Sequence, residues 1–142
     1  KMNLLMHDLQ GDLKLGYFPD TGYGPGRTGD IAIYESQKIL PGVYTTGVLG
    51  GMEQSLLLGT SRGLAVLSGC AHPGVERILQ AASGFGQVWA LVGGLHDFTD
   101  FGLLNGLELI CPTHCTAQVE QLRRRFPEAF LQGGAGRRIL LE

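Results

Sequence analysis

Three of the four histidines stand in one repeated context. The apolar run Leu64–Ser68 leads into Gly69-Cys70-Ala71-His72, Val88–Val92 into Gly93-Gly94-Leu95-His96, and Leu107–Cys111 into Pro112-Thr113-His114-Cys115. The histidines are 24 and 18 residues apart. A neutral imidazole ligates zinc, iron and related ions, so three of them just past the ends of buried strands are candidate metal ligands. If those strands are neighbours, their carboxyl ends bring His72, His96 and His114 to one rim. A lone histidine beside glycine or proline is more often a turn residue bonded to backbone; the repetition is what points to metal.

The three cysteines, Cys70, Cys111 and Cys115, cannot all pair within the chain, and two of them lie within two residues of a histidine. Reduced thiols near polar sites fit this better than disulfides. Thiolates and imidazoles also permit a structural zinc site from Cys70, Cys111, Cys115, His72 and His114, although the spacing is not that of a familiar zinc finger. Cys70 or Cys115 as a nucleophile activated by imidazole is a further alternative, with no oxyanion-hole signature beside it. His7, followed by Asp8, reads as an exposed residue near a terminus. Asp97 and Asp100 are loop residues within reach of partnering an imidazole, and Asp20 and Asp30 read as turn residues.

The elements that must position these groups follow from periodicity. Residues 1–29 are loop-like, because Phe18-Pro19-Asp20-Thr21-Gly22-Tyr23-Gly24-Pro25-Gly26 is turn chemistry. Asp30–Ile39 and Val43–Thr46 have strand composition with Pro41-Gly42 between them, and Ser55–Gly59 and Leu64–Ser68 form a hairpin across Thr60-Ser61-Arg62-Gly63. Val75, Ile78, Leu79 and Ala82 recur at helical spacing. Val88–Val92 and Leu107–Cys111 are strands, and Trp89 in the first of them is a core residue. Thr116 or Cys115 opens a helix through Val119, Leu122 and Phe126, and Arg137–Leu141 is a closing strand. Alternating strands and helices indicate an α/β fold with mixed strand directions, in a single domain over 1–142.

Composition narrows the function classes. Hydrophobic residues make up 44% and charged residues 17%, enough for a sizeable core. Glycine, at 23 of 142 residues, is over twice its usual frequency of about 7%, which implies tight turns and close backbone approaches. A net charge of −2 argues against a nucleic-acid footprint, and Arg123-Arg124-Arg125 reads as helix surface. No apolar run approaches the roughly 18 residues that span a bilayer, and a soluble, cytoplasmic protein is expected.

The segments Gly63–Val75, Leu91–His96 and Cys111–Thr116 resemble three successive motifs of one metallo-β-lactamase branch, in the same order. That branch holds uncharacterised metal-dependent hydrolases and enzymes similar to the dihydropterin–ribofuranosylaminobenzene phosphate synthases. Pro41–Gly47 and Glu53-Gln54-Ser55-Leu56 are similar to it as well, so the resemblance covers roughly residues 30–142. It implies half of an αββα sandwich, the carboxy-terminal half, with a mixed sheet and flanking helices. It also implies that His72 binds a first metal and His114 a second, with His96 standing where many relatives place a bridging aspartate. The metal would be zinc or another divalent transition ion.

The superfamily's first motif, His-x-His-x-Asp-His, is not found upstream of these segments. A catalytic zinc usually takes three protein ligands plus water, so the carried-over histidines are too few for a tight binuclear site. The expectation is therefore weak metal binding and no catalysis by this chain alone. A complementing segment or polypeptide would restore hydrolysis of an ester, phosphoester or lactone. The alternative is a non-catalytic remnant that self-associates through the apolar face of a half sandwich, or binds a partner there.

Overall fold

The computed structural model describes residues 33–141. His7, Asp20, Asp30 and the Gly/Pro-rich stretch over 1–29 lie outside the described residues, as does the start of the first expected strand.

Six strands form one sheet in sequence order: β1 (Gln37–Leu40), β2 (Val43–Thr45), β3 (Leu56–Thr60), β4 (Gly63–Ser68), β5 (Val88–Gly93) and β6 (Leu109–Pro112). β1 to β4 run antiparallel, and β4, β5 and β6 run parallel. The expected α/β class with a mixed sheet is what the chain adopts. The three strands that precede the histidine loops are adjacent and share a direction, so their carboxyl ends lie on one edge.

The antiparallel half is built from tight turns. Gly42, at φ 75, turns β1 into β2 after Pro41, a conformation glycine adopts without a Cβ penalty. Ser61 and Arg62 turn β3 into β4, with Thr60 facing Gly63. Thr60 Oγ1 accepts the Arg62 N–H and donates to the Gly63 carbonyl.

Between β4 and β5, helix α1 (Val75–Ser83) buries Val75, Ile78 and Ala82, positions spaced three and four apart on one stripe. Glu76 in its first turn complements the positive end of the helix dipole. A 3₁₀ turn over Phe101–Leu104 and helix α2 (Val119–Arg125) complete the face. Leu57, Val66, Leu91 and Ile110 of the sheet pack with Ile78 of α1, Phe101 and Leu104 of the turn and Leu122 of α2 as one core.

On the opposite face a second cluster joins Ala65, Trp89 and Ala90. Alternation alone would send Trp89 and Ala90 to opposite faces. The register between β4 and β5 slips there, with Leu64 opposite Val88 but Ala65 opposite Ala90, so Trp89 is an extra residue that the strand accommodates as a bulge. Trp89 Nε1 donates to Thr60 Oγ1 at 2.9 Å and the Arg62 guanidinium lies over the ring. Trp89→Phe keeps most of the apolar contact and loses the hydrogen bond. Urea denaturation is expected to show a loss of about 1–2 kcal/mol.

Two sequence expectations are corrected. Residues 137–141 form no strand, and Leu140 is 81% exposed. The outer edge of β6 is already used: Ile110 donates to the Ala129 carbonyl and accepts from the Leu131 N–H, with a parallel bridge to Phe130. Helix α2 also begins later than Thr116, at Val119. Thr116 Oγ1 accepts the N–H of Leu95 in the β5 loop, so this hydroxyl ties two loops together instead of capping the helix.

Candidate metal centre

The β4 loop is organised by Glu53. A tight turn with Gly50 and Gly51 at φ 60 and 68 closes a bridge between Leu49 and Glu53. The Glu53 side chain, only 9% exposed, points from there into the loop. Its Oε1 accepts the backbone N–H groups of Cys70 and Ala71, at 3.0 and 2.9 Å. Its Oε2 accepts the N–H of His72 at 3.3 Å and lies 2.9 Å from His72 Nδ1. One carboxylate therefore holds three consecutive amides and the imidazole. Ala71 sits at φ 56, a left-handed conformation that costs an L-residue roughly 1–2 kcal/mol, and these bonds keep it there.

The β5 loop is tied in the same manner from another side. His96, at φ 47, accepts the N–H of Ala117 through its carbonyl, and Leu95 donates to Thr116. His96 Nδ1 lies 3.0 Å from Asp97 Oδ2. Asp100 instead stands at the start of the 3₁₀ turn, with no side-chain cap bond there.

The rings of His72 and His96 lie with centroids 5.3 Å apart, tilted by 56° to each other. In both, Nδ1 is engaged by a carboxylate, so Nε2 is the nitrogen presented for ligation. The two rings border an open cleft of about 410 Å³ whose apolar walls include Met52, Val75, Leu95 and Phe98.

His114 keeps different company. Its Nε2 lies 3.2 Å from Cys70 Sγ and its Nδ1 3.3 Å from Thr113 Oγ1. Among the described residues, the set of three candidate ligand side chains whose donor atoms all lie within 4.8 Å of one another is Cys70, His114 and Cys115. All three predicted histidines thus sit on the strand-end loops, as a His72–His96 pair beside a thiol–imidazole group containing His114. Cys111 is apart from both and 1% exposed.

Burial raises the Cys111 thiol above its ordinary range, partly opposed by the charge of Arg137. Iodoacetamide at mild alkaline pH is therefore expected to label Cys70 and Cys115, both half-buried, well before Cys111. Because the folded value is raised, this thiol's contribution to stability is present below the ordinary thiol range and declines as pH rises through it. Peptide mass mapping of a labelling time course checks the order of reaction.

Sequence reasoning missed Glu53 as the organiser of the site. The residue occurs only inside Glu53-Gln54-Ser55-Leu56, 19 positions before the histidine it holds, and no local pattern joins the two.

No protein-family model matches the chain. The described residues nevertheless share their fold with part of a solved structure described as a metal-dependent hydrolase of the β-lactamase superfamily. That structure superposes with a TM-score of 0.66 at 23% identity, covering 80% of this chain and 59% of that one. In sequence the chain is similar to the 7,8-dihydropterin-6-methyl-4-(β-D-ribofuranosyl)-aminobenzene-5′-phosphate synthase of Methanocaldococcus jannaschii. It is 31% identical over 102 residues, covering 61% of this chain. The chain spans 35% of the length of that curated relative. Among the described residues, no helix is long and apolar enough to cross a membrane.

Proposed function

We propose that this chain supplies part of a metal-dependent hydrolase centre in which His72, His96 and His114 are ligands to zinc or another divalent transition ion. The reading rests chiefly on one observation: two imidazoles, each with Nδ1 near a carboxylate, lie with ring centroids 5.3 Å apart beside an apolar cleft at the carboxyl ends of parallel strands. The nitrogen and sulfur donors of this edge suit a borderline ion of the zinc type.

Held by His72, His96 and His114, a divalent ion would supply Lewis acidity and a nucleophile at neutral pH, suited to an ester, phosphoester or lactone centre. The chain's own residues supply orientation. The buried Glu53 carboxylate orients the His72 ring, the exposed Asp97 carboxylate accompanies His96, and Leu95 and Phe98 give the substrate an apolar wall.

Three imidazoles are too few for a tight binuclear site, so a complementing segment or polypeptide is the proposed source of the remaining ligands. Elemental analysis at defined protein concentration tests the assignment. Metal content is expected to be substoichiometric after dialysis and to fall at least by half in His72→Ala and in His114→Ala. Stoichiometric metal that survives both substitutions would remove these histidines from the ligand set. Native mass spectrometry with candidate complementing polypeptides is expected to show a heteromeric complex with raised metal occupancy; a chain that forms only homo-oligomers favours the non-catalytic module instead.

A further inference from the structure

β4 and β6 are not neighbours. β5 lies between them, and adjacent strands stand about 4.8 Å apart, so the ends of β4 and β6 are separated by roughly 10 Å of sheet. Yet Cys70, after β4, and His114, after β6, meet at 3.2 Å. Cys115 Sγ approaches the Cys70 carbonyl at 3.9 Å. The two loops close over the end of β5, and the residue beneath them is Gly94. A Cβ there would stand 2.4 Å from Cys115 Sγ, 2.6 Å from the Gly69 carbonyl oxygen and 3.2 Å from Cys70 Cα. The side chain missing at Gly94 is what lets the thiols and the imidazole converge.

We propose that Cys70, His114 and Cys115 form a zinc site of their own, with two thiolate sulfurs and one imidazole nitrogen as protein ligands and a fourth position open to solvent. It competes with the proposed hydrolase centre for His114 Nε2, because one nitrogen ligates one ion: zinc held by the two thiols leaves that centre with His72 and His96 from this chain.

The donor atoms already lie within 4.8 Å of one another. Zinc–sulfur and zinc–nitrogen bonds of about 2.3 and 2.0 Å require ligand atoms roughly 3.5–4 Å apart, within reach of small side-chain rotations. Two thiolates neutralise the dication, so the third ligand can be a neutral imidazole. Its Nδ1 faces Thr113 Oγ1, which leaves Nε2, the nitrogen already beside Cys70 Sγ, for the ion. Loading releases two thiol protons, one from each cysteine. Glu53 fixes the loop that carries Cys70 by accepting that residue's own N–H. His114 is exposed, which leaves the fourth position to water or an incoming ligand.

The test is zinc K-edge absorption spectroscopy on the reduced, zinc-loaded chain. The expected first shell contains two sulfurs at about 2.3 Å with nitrogen or oxygen completing it. Cys70→Ser and Cys115→Ser are each expected to reduce the sulfur count to one and to weaken zinc binding at least tenfold, whereas Cys111→Ala keeps both sulfurs. A second readout needs no substitution: saturating zinc should slow iodoacetamide labelling of Cys70 and Cys115 at least tenfold. Zinc bound through nitrogen and oxygen alone, with both thiols unprotected, overturns the thiol site and leaves the histidine-rim reading standing. A chain that is folded by circular dichroism and binds no zinc overturns both.

Discussion

Glu53→Ala is expected to cost about 2–4 kcal/mol of stability, because it removes a buried charged acceptor and leaves backbone N–H groups without a partner. The carboxylate accepts the N–H groups of Cys70, Ala71 and His72 and engages the His72 ring, so its loss strands several polar groups at once. Ala71 would also lose the restraint that keeps it left-handed. Glu53→Gln retains the volume and one acceptor oxygen but sets an amide N–H₂ against the loop, and should cost about 2 kcal/mol. Urea denaturation followed by circular dichroism reads both values. A loss below about 1 kcal/mol for the alanine variant would show that solvent replaces the carboxylate and that the loop does not depend on it.

Gly93→Ala is expected to be comparably severe. Gly93 sits at φ 143, and a Cβ there would stand 2.2 Å from the carbonyl oxygen of Ser68 and 2.4 Å from its Oγ. The Oγ can rotate away, but the backbone carbonyl contact cannot be relieved without parting the ends of β4 and β5. Backbone strain of about 1–3 kcal/mol adds to overpacking of similar size, so a loss of roughly 3–5 kcal/mol or failure to fold is the expected result. Gly51→Ala separates the two contributions: Gly51 is also at positive φ, but a Cβ there meets nothing within 4 Å. It should cost only about 1 kcal/mol. Similar losses for both variants would mean that backbone conformation, not the Ser68 contact, sets the penalty at Gly93.

The sequence revealed what depends on short range. The β3–β4 hairpin, the spacing of Val75, Ile78 and Ala82, the buried run of β5 and the three strand-end loops were all legible, because apolar periodicity and turn residues act over a few positions. The resemblance in motifs was likewise carried by contiguous residues. The errors fell where distant residues compete for one partner. Arg137–Leu141 has the composition of a strand, but residues 129–131 occupy the edge it would need. Thr116 is a good helix cap by type, yet its hydroxyl serves Leu95, 21 positions earlier. Glu53 and the convergence of Cys70 on His114 were out of sight for the same reason, since each depends on contacts across many residues that no periodicity encodes.

The placement of Glu53 also bears on how such a half-site could be inherited or transplanted. The carboxylate and the imidazole it orients lie at the two ends of one segment, residues 53–72, which is the β3–β4 hairpin with its flanking turns. His72 therefore carries its orienting group within a stretch of 20 residues, whereas His114 draws its companion Cys70 from 44 positions away. Recombination that moves this hairpin intact between related sheets would deliver a pre-aimed ligand in one step, while a break anywhere inside it would deliver an imidazole with no fixed direction.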